Sequence, residues 1–121
     1  MRVLVLADDL IWSTRLMEQV KATGEDAAPV RTLAALSQAL AAADAVIVDL
    51  TARAYDGVIA VRRAADAGRR VLAVGQHDDG ELRRRALAAG AERVLVYRKL
   101  FEDGPATLER WLHPVPPGGP R

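Results

Sequence analysis

Cysteine is absent from this chain of 121 residues, which removes disulfides, thiol catalysis and Cys-ligated zinc at once. Aromatic residues are scarce, at 4%, against 50% hydrophobic residues, so the core has to be built from Val, Leu, Ile and Ala. Lysine occurs only as Lys21 and Lys99, arginine carries most of the basic charge, and the formal net charge is +1. That balance makes no electrostatic case for a nucleic-acid partner. No apolar run approaches the ~18 residues that suggest a membrane span, and a strand pattern begins at once, with no signal peptide before it. The expectation is a cytoplasmic protein without a membrane partner. No glycine-rich phosphate loop follows the first strand, where ADDLIWS stands, and there is no Ser-His-Asp arrangement and no His cluster. An enzyme is therefore not expected, and nucleotide or flavin binding is disfavoured.

What is present is a regular alternation. Four short apolar runs, VLVL at 3–6, AVIV at 45–48, VLAV at 71–74 and VLVY at 94–97, read as strands buried on both faces. A weaker run at 27–31 contains Pro29, which assigns it to a sheet edge. Between them, helical spacing is read over 10–23, 33–43, 55–67, from Asp78 or Asp79 to Ala89, and over 104–112, with Gly24, Gly68 and Gly90 as stops. HPVPPGGPR reads as an extended or disordered tail, giving a domain over 1–113 and a Pro/Gly-rich tail over 114–121. Strands and helices in strict alternation predict a single α/β domain with a parallel five-stranded sheet covered on both faces. At this length that is a flavodoxin-like (βα)5 three-layer sandwich, strand order 2-1-3-4-5.

In such a sheet the residues that follow the strands converge at one edge. Here they are Ala7, Asp8 and Asp9, then Asp49, then Gly75, Gln76 and His77, then Tyr97, Arg98 and Lys99. Asp8, Asp9 and Asp49 are candidate ligands for Mg²⁺, which takes few protein oxygens and keeps waters; Mg²⁺ is the only cofactor the pattern suggests. An Asp so placed is also a candidate nucleophile toward a phosphoryl group. The competing readings are a helix cap for Asp8 or Asp9, a local backbone acceptor for Asp49, and a turn residue for Asp56 beside Gly57. His77 reads as a solvated loop residue, Arg83-Arg84-Arg85 as a solvated helix face, and Trp12 and Trp111 as packing residues.

These stretches together resemble the response-regulator receiver (CheY-like) family over residues 2 to 113. VLVLADDL is similar to that family's first strand and acidic cluster, VIVDLTARAYDG to its strand, phosphoacceptor Asp and Asp-Gly pair, and AGAERVLVYRK to the segment before its fifth strand. The resemblance implies two-component signal transduction, with Asp49 as candidate phosphoacceptor and a histidine kinase or downstream target as partner protein. It also implies a partner face on the fourth helix, fifth strand and fifth helix, here Arg83, Arg84, Tyr97, Lys99 and Arg110. A homodimer through that face is a further expectation, which sedimentation would detect.

The departures matter as much. Ala7 stands where the family has its first acid, Gly75 where it has the switch Ser/Thr, Tyr97 where it has its lysine, Arg98 where a proline follows, and Arg53 where the loop has a proline. Tyr97 cannot supply a positive charge and Gly75 has no hydroxyl. A hydrogen bond from the Tyr97 hydroxyl to Asp49 is one expected replacement. Arg98 is expected to point away from the site, and Lys99 toward it but two residues further along the strand. The reading is a degenerate, stand-alone pseudo-receiver that signals through protein–protein interaction without the usual Asp phosphorylation. The first alternative is a phosphorylatable two-component receiver using Asp49 with Mg²⁺, and the second is a small-molecule-binding flavodoxin-like module.

Overall fold

A computed structural model of the chain describes residues 1–115. Strand β1 (Arg2–Leu6) is followed by α1 (Leu10–Ala22), β2 (Asp26–Val30), α2 (Leu33–Ala39), β3 (Ala45–Asp49) and α3 (Gly57–Asp66). Then come β4 (Arg70–Gly75), α4 (Gly80–Ala89), β5 (Arg93–Val96), α5 (Tyr97–Glu102) and α6 (Ala106–Leu112). All strand pairs are parallel and the sheet order is β2-β1-β3-β4-β5, as the alternation predicts. Pro29 lies on the edge strand β2, where a missing N–H costs no ladder bond on the open side.

The pleat sorts each strand's side chains into two apolar layers. Leu4, Leu6, Val46, Val48, Val71 and Ala73 pack under α2, α3 and α4, against Leu36, Ala60, Val61, Ala64 and Ala86. Val3, Val5, Ile47, Leu72 and Val74 face the other way, against Leu16 and Val20 of α1, Leu100 of α5, and Leu108, Trp111 and Leu112 of α6. Both sheet faces are thus covered, which is why these strands read as unbroken apolar runs rather than alternating ones.

The boundaries depart from expectation in four places. The third helix begins at Gly57 rather than residue 55, because Asp56 is its N-cap, its carboxylate accepting from the amides of Val58 and Ile59. A Cβ at position 57 would lie 2.7 Å from Leu50 Cα, so only glycine lets α3 start this close to the end of β3. The Asp-Gly pair thus has a purely structural reason to exist here. The second helix ends at Ala39 and passes into a 3₁₀ turn over Leu40–Ala42. At the C-terminal end, β5 stops at Val96, and Tyr97 opens a helix the sequence reading did not contain. Tyr97, Leu100 and Phe101 stand at i, i+3 and i+4, a helical spacing. The strand argument for the directions of Arg98 and Lys99 therefore fails: both lie on α5 and both are exposed. The helical path is interrupted at Gly104–Pro105, so α6 begins at Ala106 rather than at residue 104. Of the expected tail, Pro114 and Val115 are exposed and outside any helix or strand; residues 116–121 lie outside the described residues.

The last helix is held at its C-terminal end. Arg70 Nε bonds Glu92 at 3.0 Å, Trp111 Nε1 donates to the same carboxylate at 3.0 Å, and Arg70 Nη2 donates to the Trp111 carbonyl at 2.6 Å. Just beyond α6, His113 sits between two carboxylates, Nδ1 at 2.8 Å from Glu109 and Nε2 in close contact with Glu25, which also binds the Met1 ammonium at 3.0 Å. Glu109 first and then Glu25 hold the His113 pKa above its ordinary value of 6.5. A raised folded-state pKa means the contact contributes fully below the unfolded pKa and is lost as pH rises through the folded one. Glu25 is held below its usual 4.5 first by the Met1 ammonium and then by His113, so its share is lost as pH falls through its own lowered value. The stability difference between wild type and His113→Gln, followed by urea denaturation against pH, should therefore be greatest on the acid side of neutrality. It should shrink toward alkaline pH, and a difference independent of pH would refute the assignment.

Candidate functional site

The carboxyl ends of β1, β3 and β4 enclose a polar hollow of about 380 Å³ lined by Asp8, Asp9, Asp49, Thr51, Arg53 and Gln76. The three aspartates singled out in the sequence do meet there, and each already holds the chain in place. Asp9 is the N-cap of α1, its Oδ1 accepting from the amides of Ile11 at 2.8 Å and Trp12 at 3.1 Å. Asp8 turns toward the loop after β3, its Oδ2 accepting from Arg53 N at 2.9 Å and Ala54 N at 3.0 Å, while Arg31 Nη2 donates to its backbone carbonyl at 2.9 Å.

Asp49 is 1% exposed. Its Oδ1 accepts from Thr51 N at 2.8 Å and from Thr51 Oγ1 at 2.7 Å, two donors on one oxygen, which suits a buried carboxylate. No hydrogen bond reaches its Oδ2 among the described residues. Oxygen donors of this kind suit Mg²⁺, and Oδ2 of Asp49 and Oδ1 of Asp8 are the oxygens of the pair that the hydrogen bonds above leave open. Among the described residues no group of three or more His, Cys, Asp or Glu side chains is arranged as a metal site.

Two tyrosines flank Asp49. Tyr55, which the sequence reading passed over, is buried, and its hydroxyl donates to the backbone carbonyls of Leu6 and Asp49, both at 2.9 Å. It ties the end of β1 to the end of β3. Burial first, then the charges of Asp49 and Asp8, push its phenol far up the pH scale, so it remains a neutral donor. Tyr97 is 2% exposed, and this corrects its assignment to a partner-binding face: it has almost no surface to offer. Its ring stacks on Trp12 with centroids 4.2 Å apart, and Phe101 extends the stack. Burial and then the Asp49 charge push its phenol up as well. No partner meets the hydroxyl with regular hydrogen-bond geometry among the described residues, although Asp49 approaches closely enough to raise the phenol by hydrogen bonding as well as by charge, so the expected contact with Asp49 is a close approach rather than a well-formed bond. The carboxylate is near enough to act through its charge, but the ring is positioned by the stack, not by Asp49.

The remaining sequence candidates are dispersed. His77 is exposed in the loop after β4. Arg83 is half-buried and staples α4 to the neighbouring strand, Nη1 donating to Val94 O at 2.9 Å and Nη2 meeting Asp78 at 3.2 Å. Arg84 on α4, Lys99 on α5 and Arg110 on α6 are exposed, and among the described residues only Arg83 of the four is seen to contact β5.

No known family model matches the sequence, and no curated protein matches it. Solved structures do. A two-component response regulator from Clostridium difficile is 12% identical with a TM-score of 0.82, covering 94% of this chain and 97% of that one. The receiver domain of a modulated diguanylate cyclase from Desulfovibrio desulfuricans G20 is 22% identical with a TM-score of 0.77, over 92% and 89% of the two chains. The receiver domain of a DNA-binding response regulator from Colwellia psychrerythraea 34H is 19% identical with a TM-score of 0.79, over 93% and 98%. What this chain shares with them across nearly its full described length is the flavodoxin-like fold of receiver domains.

Proposed function

We propose that this protein is an atypical receiver that acts in signal transduction through protein–protein contact, without the Asp phosphorylation switch. The observation that carries the reading is Tyr97. It occupies the place for which the resemblance implies a lysine, and it is a neutral ring locked in an aromatic stack. No ammonium is supplied there to meet a phosphoryl group or Asp49. The partner is a signalling protein, a histidine kinase or a downstream target, and the exposed cations Arg84, Lys99 and Arg110, on α4, α5 and α6, are its proposed contacts. With Mg²⁺ and beryllofluoride, the wild-type amide NMR spectrum should show no shifts around Asp8 and Asp49, and a small phosphodonor should add no mass. A phosphoryl adduct present in wild type and missing in Asp49→Ala would overturn the proposal.

One observation favours a second reading, a receiver phosphorylated on Asp49. Its Oδ2 is unengaged among the described residues and the carboxylate borders the 380 Å³ hollow. Mg²⁺ held there by Asp8 and Asp49 would neutralise charge on phosphoryl oxygens. The same adduct measurement decides between the two.

A further inference from the structure

We infer that Thr51 supplies, from the loop after β3, the hydroxyl that the end of β4 lacks, and that this hydroxyl closes Oδ1 of Asp49 to incoming ligands. This deepens the proposed function and rests on it. Thr51 reaches the carboxylate twice, through its amide at 2.8 Å and its hydroxyl at 2.7 Å. Its methyl faces β4: a Cβ built on Gly75 would stand 3.5 Å from Thr51 Cγ2. That is ordinary contact, and Gly75 is not among the glycines with positive φ, so the backbone does not require glycine there. What a longer side chain at 75 would meet is Thr51. Positions 51 and 75 therefore compete for one space beside Asp49, and in this chain Thr51 holds it.

The source of the hydroxyl matters. A hydroxyl on β4 would belong to a different strand from Asp49. The Thr51 hydroxyl is two residues from Asp49 on the same segment, and the accompanying amide bond fixes the turn that aims it. An oxygen already accepting two hydrogen bonds from its own loop must give one up before it can meet a ligand, which is a cost for a buried carboxylate. Thr51 is therefore a positioning residue that keeps Asp49 in one fixed arrangement.

Four proteins test this, with ¹⁹F NMR of beryllofluoride and Mg²⁺ as the probe: wild type, T51A, G75S/Y97K and T51A/G75S/Y97K. The triple variant should bind at least about tenfold more tightly than G75S/Y97K, the scale set by losing a hydrogen bond to a charged group. Equal binding by the two overturns the inference while leaving the proposed function standing. Binding by wild type as tight as by the triple variant overturns the proposed function instead. A second measurement does not depend on a triple variant folding or binding. The side-chain carboxyl ¹³C shift of Asp49 should be retained in Thr51→Ser, which keeps the hydroxyl, and displaced in Thr51→Val, which is nearly isosteric but lacks it. An unmoved shift in Thr51→Val would overturn the inference by itself.

Discussion

Truncating Tyr97 to alanine should cost about 3–5 kcal/mol, the range for removing a large aromatic side chain from a packed core. The ring is 2% exposed and stacked on both Trp12 and Phe101, so the cavity would open between α1 and α5, where neither helix can close it alone. Tyr97→Phe should have the opposite sign. It keeps the stack and removes a buried hydroxyl with no well-formed hydrogen bond, a group whose desolvation is uncompensated, so a gain of about 1 kcal/mol is expected. The same conservative change at Tyr55 should destabilise by about 1–2 kcal/mol, because that hydroxyl is bonded to the carbonyls of Leu6 and Asp49. Urea unfolding of the three variants checks all three signs. A loss in Tyr97→Phe equal to that in Tyr55→Phe would mean that the Tyr97 hydroxyl makes a full bond to Asp49 after all.

Gly90→Ala should be comparably severe, at about 3–5 kcal/mol. Gly90 closes α4 at φ 120°, where a side chain is strained, and its added Cβ would lie 2.4 Å from the Cβ of Ala65. Two penalties add at one position, backbone strain and collision with α3. Ala65→Gly in the same background removes the collision and leaves the strain. The double variant should therefore recover part of the loss and no more, after allowing for the ~1 kcal/mol that a glycine costs within α3. Full recovery would show that φ at residue 90 carries no strain, and no recovery would show that α3 and α4 do not approach as described. Thermal unfolding of the two variants is sufficient.

Strand identities and sheet order were legible because burial on both faces leaves an unbroken apolar run, and the strict alternation with helices leaves few topologies. The edge position of β2 was legible for a different reason: Pro29 lacks a donor. The stretch from Tyr97 to Glu102 was misread because VLVY is a continuous apolar run, and such a run does not say where the strand ends and a helix begins. At the site, spacing located Asp8, Asp9 and Asp49 at one edge, since each follows a strand. It could not reveal that Tyr55 reaches the carbonyl of Leu6, 49 residues away, because that contact depends on a loop conformation without a period. Thr51 is the harder case. A threonine two residues after an aspartate carries a local hydrogen-bonding signal, but its importance appears only with Gly75 alongside, and those two meet through the pairing of β3 with β4.

The clasp around Glu25 has a topological consequence. Met1 and His113 both bond this one side chain, which immediately precedes β2 and so lies at the amino ends of the strands. The hollow around Asp49 is at the opposite pole. Residues 1 and 113 can therefore be bridged by a short linker and the backbone reopened elsewhere, and the resulting circular permutant should keep the sheet order intact. By the same geometry, a protein fused next to either residue would hang from the pole away from the aspartates and leave their approach unobstructed.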